Sequence, residues 1–120
     1  MISVVVAALV AATAVVPMPP ARHNRLVKSD PGVDATLAKS PAQIRLWFKE
    51  APELAVSSIR LADAAAKPVA TGAVRATDDK TSIAVTVSAP LPPGQYTVTW
   101  KTAGADGHVI RGSFGFTVGS

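Results

Sequence analysis

The chain has 120 residues, the size of a single domain, and 48% of them are hydrophobic, which excludes a disordered tail. It contains no cysteine, so disulfide bonds, thiolate zinc sites, iron–sulfur clusters and thiol nucleophiles are excluded. The formal net charge is +4, but the cations are scattered singly without interleaved aromatic residues, so the sequence predicts no nucleic-acid partner.

The first sixteen residues contain an apolar stretch, residues 2–16. It is shorter than the roughly 20 residues that a membrane-spanning helix needs, but it fits the hydrophobic region of a secretory signal peptide, which runs about 7–15 residues. Three prolines between residues 17 and 20 stop any continuing helix. We therefore expect a signal peptide over residues 1–22, a mature domain over residues 23–120, and a periplasmic or extracellular location.

The mature part alternates apolar and polar residues in short segments separated by turn residues, the pattern of β-strands. Strands are expected at residues 26–27, 44–48, 56–61, 69–77, 81–87, 95–101 and 109–118. In the fifth of these, Ile83, Val85 and Val87 are predicted to face inward, and Ser82, Ala84 and Thr86 outward. The Ala-rich residues 62–66 could at most form a helical turn. About seven short strands predict an all-β fold, either a β-sandwich or a small Greek-key barrel.

The familiar catalytic motifs are absent: there is no G-x-S-x-G, H-E-x-x-H, P-loop or Gly-rich dinucleotide turn. We therefore expect a binding protein rather than an enzyme. One chemical candidate is Asp106-Gly107-His108, between the last two strands, where Gly107 lets the carboxylate and the imidazole converge. Nitrogen and oxygen donors suit a borderline cation. The alternative is an ordinary Asp-Gly hairpin turn followed by a chance histidine.

His23 is the second candidate, because it lies just after the signal-like segment. If the mature chain begins there, its α-amine and imidazole can chelate one metal ion, and His108 with Asp106 complete three nitrogens and one oxygen, a tetragonal set suited to Cu(II). Cleavage after Ala14 or Ala21 instead leaves His23 internal. The donors are then His23, Asp106 and His108 without the amine.

Three motifs, spaced in order over residues 23–118, resemble those of the CopC family of exported copper-binding proteins. They are His23-x-x-Leu26-Val27-x-Ser29-x-Pro31; Ile44-x-Leu46-x-Phe48-x-Glu50; and Tyr96-Thr97-Val98-x-Trp100 followed by Ala105-Asp106-Gly107-His108 and Gly112-Ser113-Phe114-x-Phe116-x-Val118.

The resemblance implies a seven-stranded Greek-key β-barrel or sandwich, related to cupredoxins and immunoglobulin-like domains. It implies one Cu(II) ion held by His23, Asp106 and His108, with Glu50 orienting a ligand or bound water. Glu50 could equally be a solvated charge at a strand end. A thioether Cu(I) site, which some family members carry, is not expected, because the methionines Met1 and Met18 both precede the mature domain.

The resemblance further implies a role in copper tolerance, buffering or delivery to a membrane copper transporter, and we expect a monomer. Two alternatives remain open at this point. One is a non-metal immunoglobulin-like adhesion or assembly module, because sandwiches host many functions. The other is a copper-dependent oxidase or oxygenase, which Asp106 disfavours because it would fill the coordination position that oxygen needs.

Overall fold

A computed structural model describes residues 24–120; the predicted signal peptide and His23 lie outside the described residues. The described chain forms nine strands and one short 3₁₀ helix, Leu54–Val56. The strands are β1 (Leu26–Asp30), β2 (Thr36–Leu37), β3 (Gln43–Phe48), β4 (Ser58–Asp63), β5 (Pro68–Val69), β6 (Arg75–Ala76), β7 (Ser82–Thr86), β8 (Gly94–Ala103) and β9 (Val109–Val118).

The strands form two sheets, which confirms the predicted all-β sandwich. A four-stranded sheet has the order β1-β3-β7-β6, and a five-stranded sheet has the order β2-β9-β8-β4-β5. The chain crosses between the sheets after β1, β2, β3, β5 and β7, as in a Greek-key arrangement. Within residues 24–120 there is no helix with the length and apolar character needed to cross a membrane.

Apolar side chains at every second position of the longer strands fill the space between the sheets. In β3 the pattern is as predicted: Ile44, Leu46 and Phe48 are buried, whereas Arg45 and Trp47 point away from the core. The rings of Phe48 and Trp100 join the two sheets edge to face, with centroids 5.3 Å apart. At the other end of the core, Tyr96 stacks on Phe116 at 5.6 Å and its hydroxyl donates to Pro92 O at 2.6 Å.

The β8–β9 hairpin is the longest ladder in the fold, with ten residue pairs from Gly94↔Val118 to Ala103↔Val109. Opposite Trp100 stands Gly112, and a Cβ at that position would lie 2.5 Å from the Trp100 ring. Only glycine therefore allows the indole to lie flat over the neighbouring strand. The hairpin holds the predicted Asp106-Gly107-His108 loop at one end of the sandwich.

Several predicted strand limits differ from the structure. The single strand expected over residues 69–77 is wrong: it is divided into β5 and β6, which belong to different sheets, with Gly72 N donating to Thr86 O at 2.8 Å between them. Residues 54–56, partly assigned to the third strand, form the 3₁₀ helix, and β1 runs to Asp30 because it continues to pair with β3. The possible helical turn over 62–66 is not observed, and β2 was not predicted.

Ser82 and Ala84, which were predicted to face outward, are nevertheless buried. They do occupy the outward side of β7, but long side chains cover them. Arg45 donates from Nε to Ser82 Oγ at 3.1 Å, and Arg75 of β6 lies opposite Ala84. Two arginines thus turn the solvent side of this strand into a covered layer.

A charged turn over residues 78–80 precedes β7. Asp79 accepts hydrogen bonds from the hydroxyl and the backbone N–H of Thr81, at 2.7 and 2.9 Å. These bonds, and more weakly the positive charge of Arg45, lower the pKa of the Asp79 carboxyl below its ordinary value of 3.8.

Candidate metal centre

The loop between β8 and β9 is a tight turn at the end of a hairpin with ten residue pairs. Gly107 N donates to Gly104 O at 3.0 Å, which closes the turn directly after the last paired residues. Gly107 has a φ of +77°, a left-handed conformation that favours glycine. The turn therefore presents Asp106 and His108 from a short, well-defined piece of backbone.

Asp106 and His108 lie together, as the sequence spacing predicted. Asp106 Oδ2 is 3.0 Å from His108 Nδ1, and Asp106 Oδ1 accepts the His108 backbone N–H at 3.0 Å. The side chain of Asp106 is 31% exposed and that of His108 is 61% exposed, so an ion could approach both from solvent. The carboxylate both shapes the turn and places an oxygen beside the imidazole.

The distance between these two atoms is suitable for shared coordination. Two donors bound about 2.0 Å from one ion and 90° apart are about 2.8 Å from each other. The Oδ2–Nδ1 distance of 3.0 Å is close to that separation. In this structure the contact is a hydrogen bond, and the two atoms could become neighbouring ligands of one ion if the metal replaced the proton between them.

Asn24, the first described residue, is fixed beside this loop and is only 2% exposed. Its side-chain amide donates to Glu50 O at 3.0 Å, and its Oδ1 accepts the backbone N–H groups of Glu50 at 2.8 Å and Arg25 at 3.0 Å. One buried side chain thereby ties the start of the domain to the end of β3. No sequence pattern pointed to Asn24, because its role depends on contact with a residue 26 positions away.

Glu50, Asn24 and Asp106 meet around Gly104. A Cβ at Gly104 would lie 3.0 Å from Glu50 Oε2, 3.2 Å from Asn24 Cβ and 3.7 Å from Asp106 Oδ1. The absence of a side chain at Gly104 therefore lets three segments that are distant in sequence pack closely. Sequence reasoning selected Glu50 and Asp106 but did not identify Gly104 as the residue between them.

His23, the remaining predicted ligand, lies outside the described residues. Between residues 24 and 120, no three His, Cys, Asp or Glu side chains form a cluster able to hold a metal ion. The described part of the candidate site thus consists of the Asp106–His108 pair, with Glu50 and Asn24 close by. Its role in metal binding stays a prediction.

Comparisons with known proteins point to one family. Residues 26–119 match the CopC domain family. Copper resistance protein C of Escherichia coli is 33% identical over 104 residues, covering 80% of this chain and 81% of that protein. The copper transport protein CutJ of Bacillus subtilis (strain 168) is 31% identical over 98 residues, but these make up 81% of this chain and only 18% of CutJ.

Solved structures agree with the sequence comparison. The crystal structure of CopC from Methylosinus trichosporium OB3b superposes with a TM-score of 0.75 at 31% identity, covering 81% of this chain and 94% of that one. The structure of PcoC, a methionine-rich copper resistance protein from Escherichia coli, gives a TM-score of 0.73 at 33% identity, covering 80% and 98%.

Proposed function

We propose that this chain, which belongs to the CopC family, binds one Cu(II) ion through His23, Asp106 and His108. Family membership makes it a copper-binding protein of the copper-resistance class. The observation that carries the ligand assignment is the Asp106–His108 pair, whose facing oxygen and nitrogen are spaced as two donors of one ion. Copper here is cargo, held by the protein and passed on.

The position of Asn24 supports His23 as the ligand from the start of the domain. His23 is joined to Asn24 by a peptide bond, so their Cα atoms are about 3.8 Å apart. Asn24 is itself fixed next to Gly104, one turn away from Asp106 and His108. A ligand supplied by residue 23 would therefore be attached to a residue that packs beside the hairpin loop.

In this proposal residues 1–22 are a signal peptide, and the exported chain begins at His23. The α-amine then joins the two imidazoles and the Asp106 carboxylate, giving three nitrogens and one oxygen. Intact mass measurement of the exported protein tests this start point. A mass corresponding to cleavage after Ala14 or Ala21 would remove the amine from the donor set.

The chemistry of the chain favours Cu(II) over Cu(I). The relative PcoC is described as methionine rich, whereas this chain has only Met1 and Met18, neither of which falls in the proposed mature domain. Thioether sulfur selects Cu(I), and imidazole with carboxylate suits Cu(II). A single oxidised ion is therefore the expected cargo.

We further infer that the chain acts by binding and transfer, with a membrane copper transporter as the receiving partner. This is supported by the name of CutJ, a copper transport protein that contains a segment similar to this chain within a much longer sequence. Rigid positioning of the hairpin loop suits reversible binding, because the donors need not be reorganised when the ion enters.

Glu50 is proposed as a positioning residue at the edge of the site. Its backbone is bonded to Asn24 on both its N–H and its carbonyl, and its carboxylate lies beside Gly104. A carboxylate in that place can orient a ligand or a bound water through a hydrogen bond. Removing it should weaken binding less than removing a direct ligand does.

Electron paramagnetic resonance during Cu(II) titration tests the assignment. We expect saturation at one ion per chain, a loss of affinity of more than about 100-fold in His108→Ala, and a loss of about tenfold in Glu50→Ala. Glu53→Ala is the matched control, because Glu53 is an exposed carboxylate at the same end of the sandwich. Since a ligating imidazole must be neutral, protons compete with the metal, and binding should also weaken in acid. Unchanged affinity in His108→Ala would refute the site.

A further inference from the structure

The outer face of the five-stranded sheet is basic. Residues that are paired across an antiparallel ladder point to the same side of the sheet. Two rows of three residues therefore cross β4, β8 and β9 on the outer face: Ser58, Lys101 and Arg111 in one, and Arg60, Thr99 and Ser113 in the other. The outward positions of these three strands carry Arg60, Lys101 and Arg111 and no acidic residue. We call this surface the basic face.

The cations of the basic face have no partners among the described residues. Lys101 and Arg111 stand directly opposite each other, which costs stability because like charges repel. Within residues 24–120 neither they nor Arg60 form a side-chain hydrogen bond or an ion pair. The arrangement is therefore not explained by the stability of the fold.

The four-stranded sheet provides a contrast within the same molecule. Its outward cations all have partners: the Lys28 ammonium lies 4.5 Å from the Trp47 ring centre, Arg45 is paired with Asp78 at 3.1 Å, and Arg75 donates to Gln43 Oε1 at 2.7 Å. The cations on the outer face of the four-stranded sheet are thus paired within the domain, whereas those of the basic face can interact with another molecule.

Apolar surface adjoins the basic face at the metal-centre end. Val109, Leu54 and Val56 are 50%, 41% and 42% exposed. Val109 pairs with Ala103, and the loop that carries Leu54 and Val56 is joined to Ala103 by the bond from Glu53 N to Ala103 O at 2.9 Å. At the opposite margin, a depression of about 400 Å³ beside Arg60 and Thr99 is large enough to take an apolar side chain.

We propose that the basic face is the docking surface for an acidic protein that exchanges copper with this chain. The inference rests on the proposed function, because it places the partner next to the Asp106–His108 loop. Opposite charges would bring the partner in and fix its orientation, while burial of Val109 and Leu54 would hold it. A protein fits better than a lipid surface, because these apolar side chains are only half exposed and an ion leaving the site needs new ligands.

Docking at the basic face can be tested by titrating the metal-free protein with a short synthetic peptide of alternating glutamate and leucine. Backbone amide resonances report which residues the peptide contacts. We expect shifts in β4, β8, β9 and Val109, and a Kd that rises with added salt. The double variant Lys101→Gln, Arg111→Gln should bind about fivefold more weakly. Its thermal midpoint should stay the same or rise, because a like-charge contact has been removed.

The double variant Lys39→Gln, Lys80→Gln is the control, since it removes the same charge from loops outside the basic face. Equal weakening in both double variants, or shifts confined to the opposite sheet, would overturn the proposal. So would binding to phosphatidylglycerol vesicles with no binding of the peptide, which would make the surface a membrane contact. Cu(II) titration separates the two proposals: the basic-face variant should still bind one ion. Failure of the unmodified chain to bind copper would refute the proposed function and the exchange of copper with a partner, but it would leave peptide binding at the basic face unaffected.

Discussion

Replacing Asn24 by alanine is expected to lower both the free energy of unfolding of the domain and its affinity for copper. The side chain makes three hydrogen bonds to backbone groups of Glu50 and Arg25 and is 2% exposed. Each such bond contributes a net amount of about 1 kcal/mol. Asn24→Ala should therefore lower the free energy of unfolding by about 3 kcal/mol, which corresponds to a fall in Tm of roughly 15 °C for a domain of this size.

Copper affinity should fall as well, because the chain that leads into His23 is no longer fixed beside the hairpin loop. Urea unfolding of the metal-free protein measures the stability, and Cu(II) titration measures the affinity, which we expect to drop at least about tenfold.

Tyr96→Phe is the matched control for this prediction. It removes another side-chain bond to a backbone carbonyl, the one to Pro92 O, at the far end of the hairpin from the metal loop. It should cost about 1 kcal/mol and leave copper affinity unchanged. If Asn24→Ala were destabilised but bound copper as well as Tyr96→Phe does, the role of Asn24 in positioning the ligand would be refuted.

Two further predictions concern the fold. Gly112→Ala should destabilise the domain by about 1–3 kcal/mol and alter the near-ultraviolet signal of Trp100, because its Cβ would lie 2.5 Å from the ring; Gly115→Ala, whose Cβ would be 3.5 Å from the nearest atom, is the control and should be far milder. The pKa of Asp79 is lower in the folded protein than its ordinary value of 3.8, so its bonds to Thr81 stabilise the fold above pH 3.8. This stabilisation is lost as the pH falls through the pKa that Asp79 has in the folded protein. Asp79→Asn should therefore unfold with a weaker dependence on pH below 3.8 than the unmodified chain, and identical acid-unfolding profiles would contradict this.

The sequence could predict those strands in which one face is buried in the core and the other is exposed to solvent. β3, most of β8 and the second half of β9 alternate because Ile44, Val98 and Phe116 face the core while their neighbours are more exposed. β7 violated the alternation because Arg45 covers its outer side, and that cover comes from another strand. The short β2 has no local signal at all, since it exists only through parallel pairing with β9.

The candidate site divides in the same way. Asp106 and His108 are two residues apart, so their convergence could be predicted from spacing and from the freedom of Gly107. The parts contributed by Asn24 and Gly104 depend on tertiary packing between segments that no sequence motif connects. A polar residue next to a candidate ligand is a weak signal until its burial is known.

The two halves of the proposed site approach from different sheets. Asn24 leads into β1 at the edge of the four-stranded sheet, while the Asp106–His108 loop ends the central hairpin of the other. A bound ion would therefore connect the two sheets at one end of the sandwich. Copper should then raise the thermal midpoint of the domain, and the rise should be larger the more tightly the ion is bound. Local opening of the edge strand β1 alone would separate the two halves of the proposed site and release the ion, while the other strands stay folded and ready to bind again.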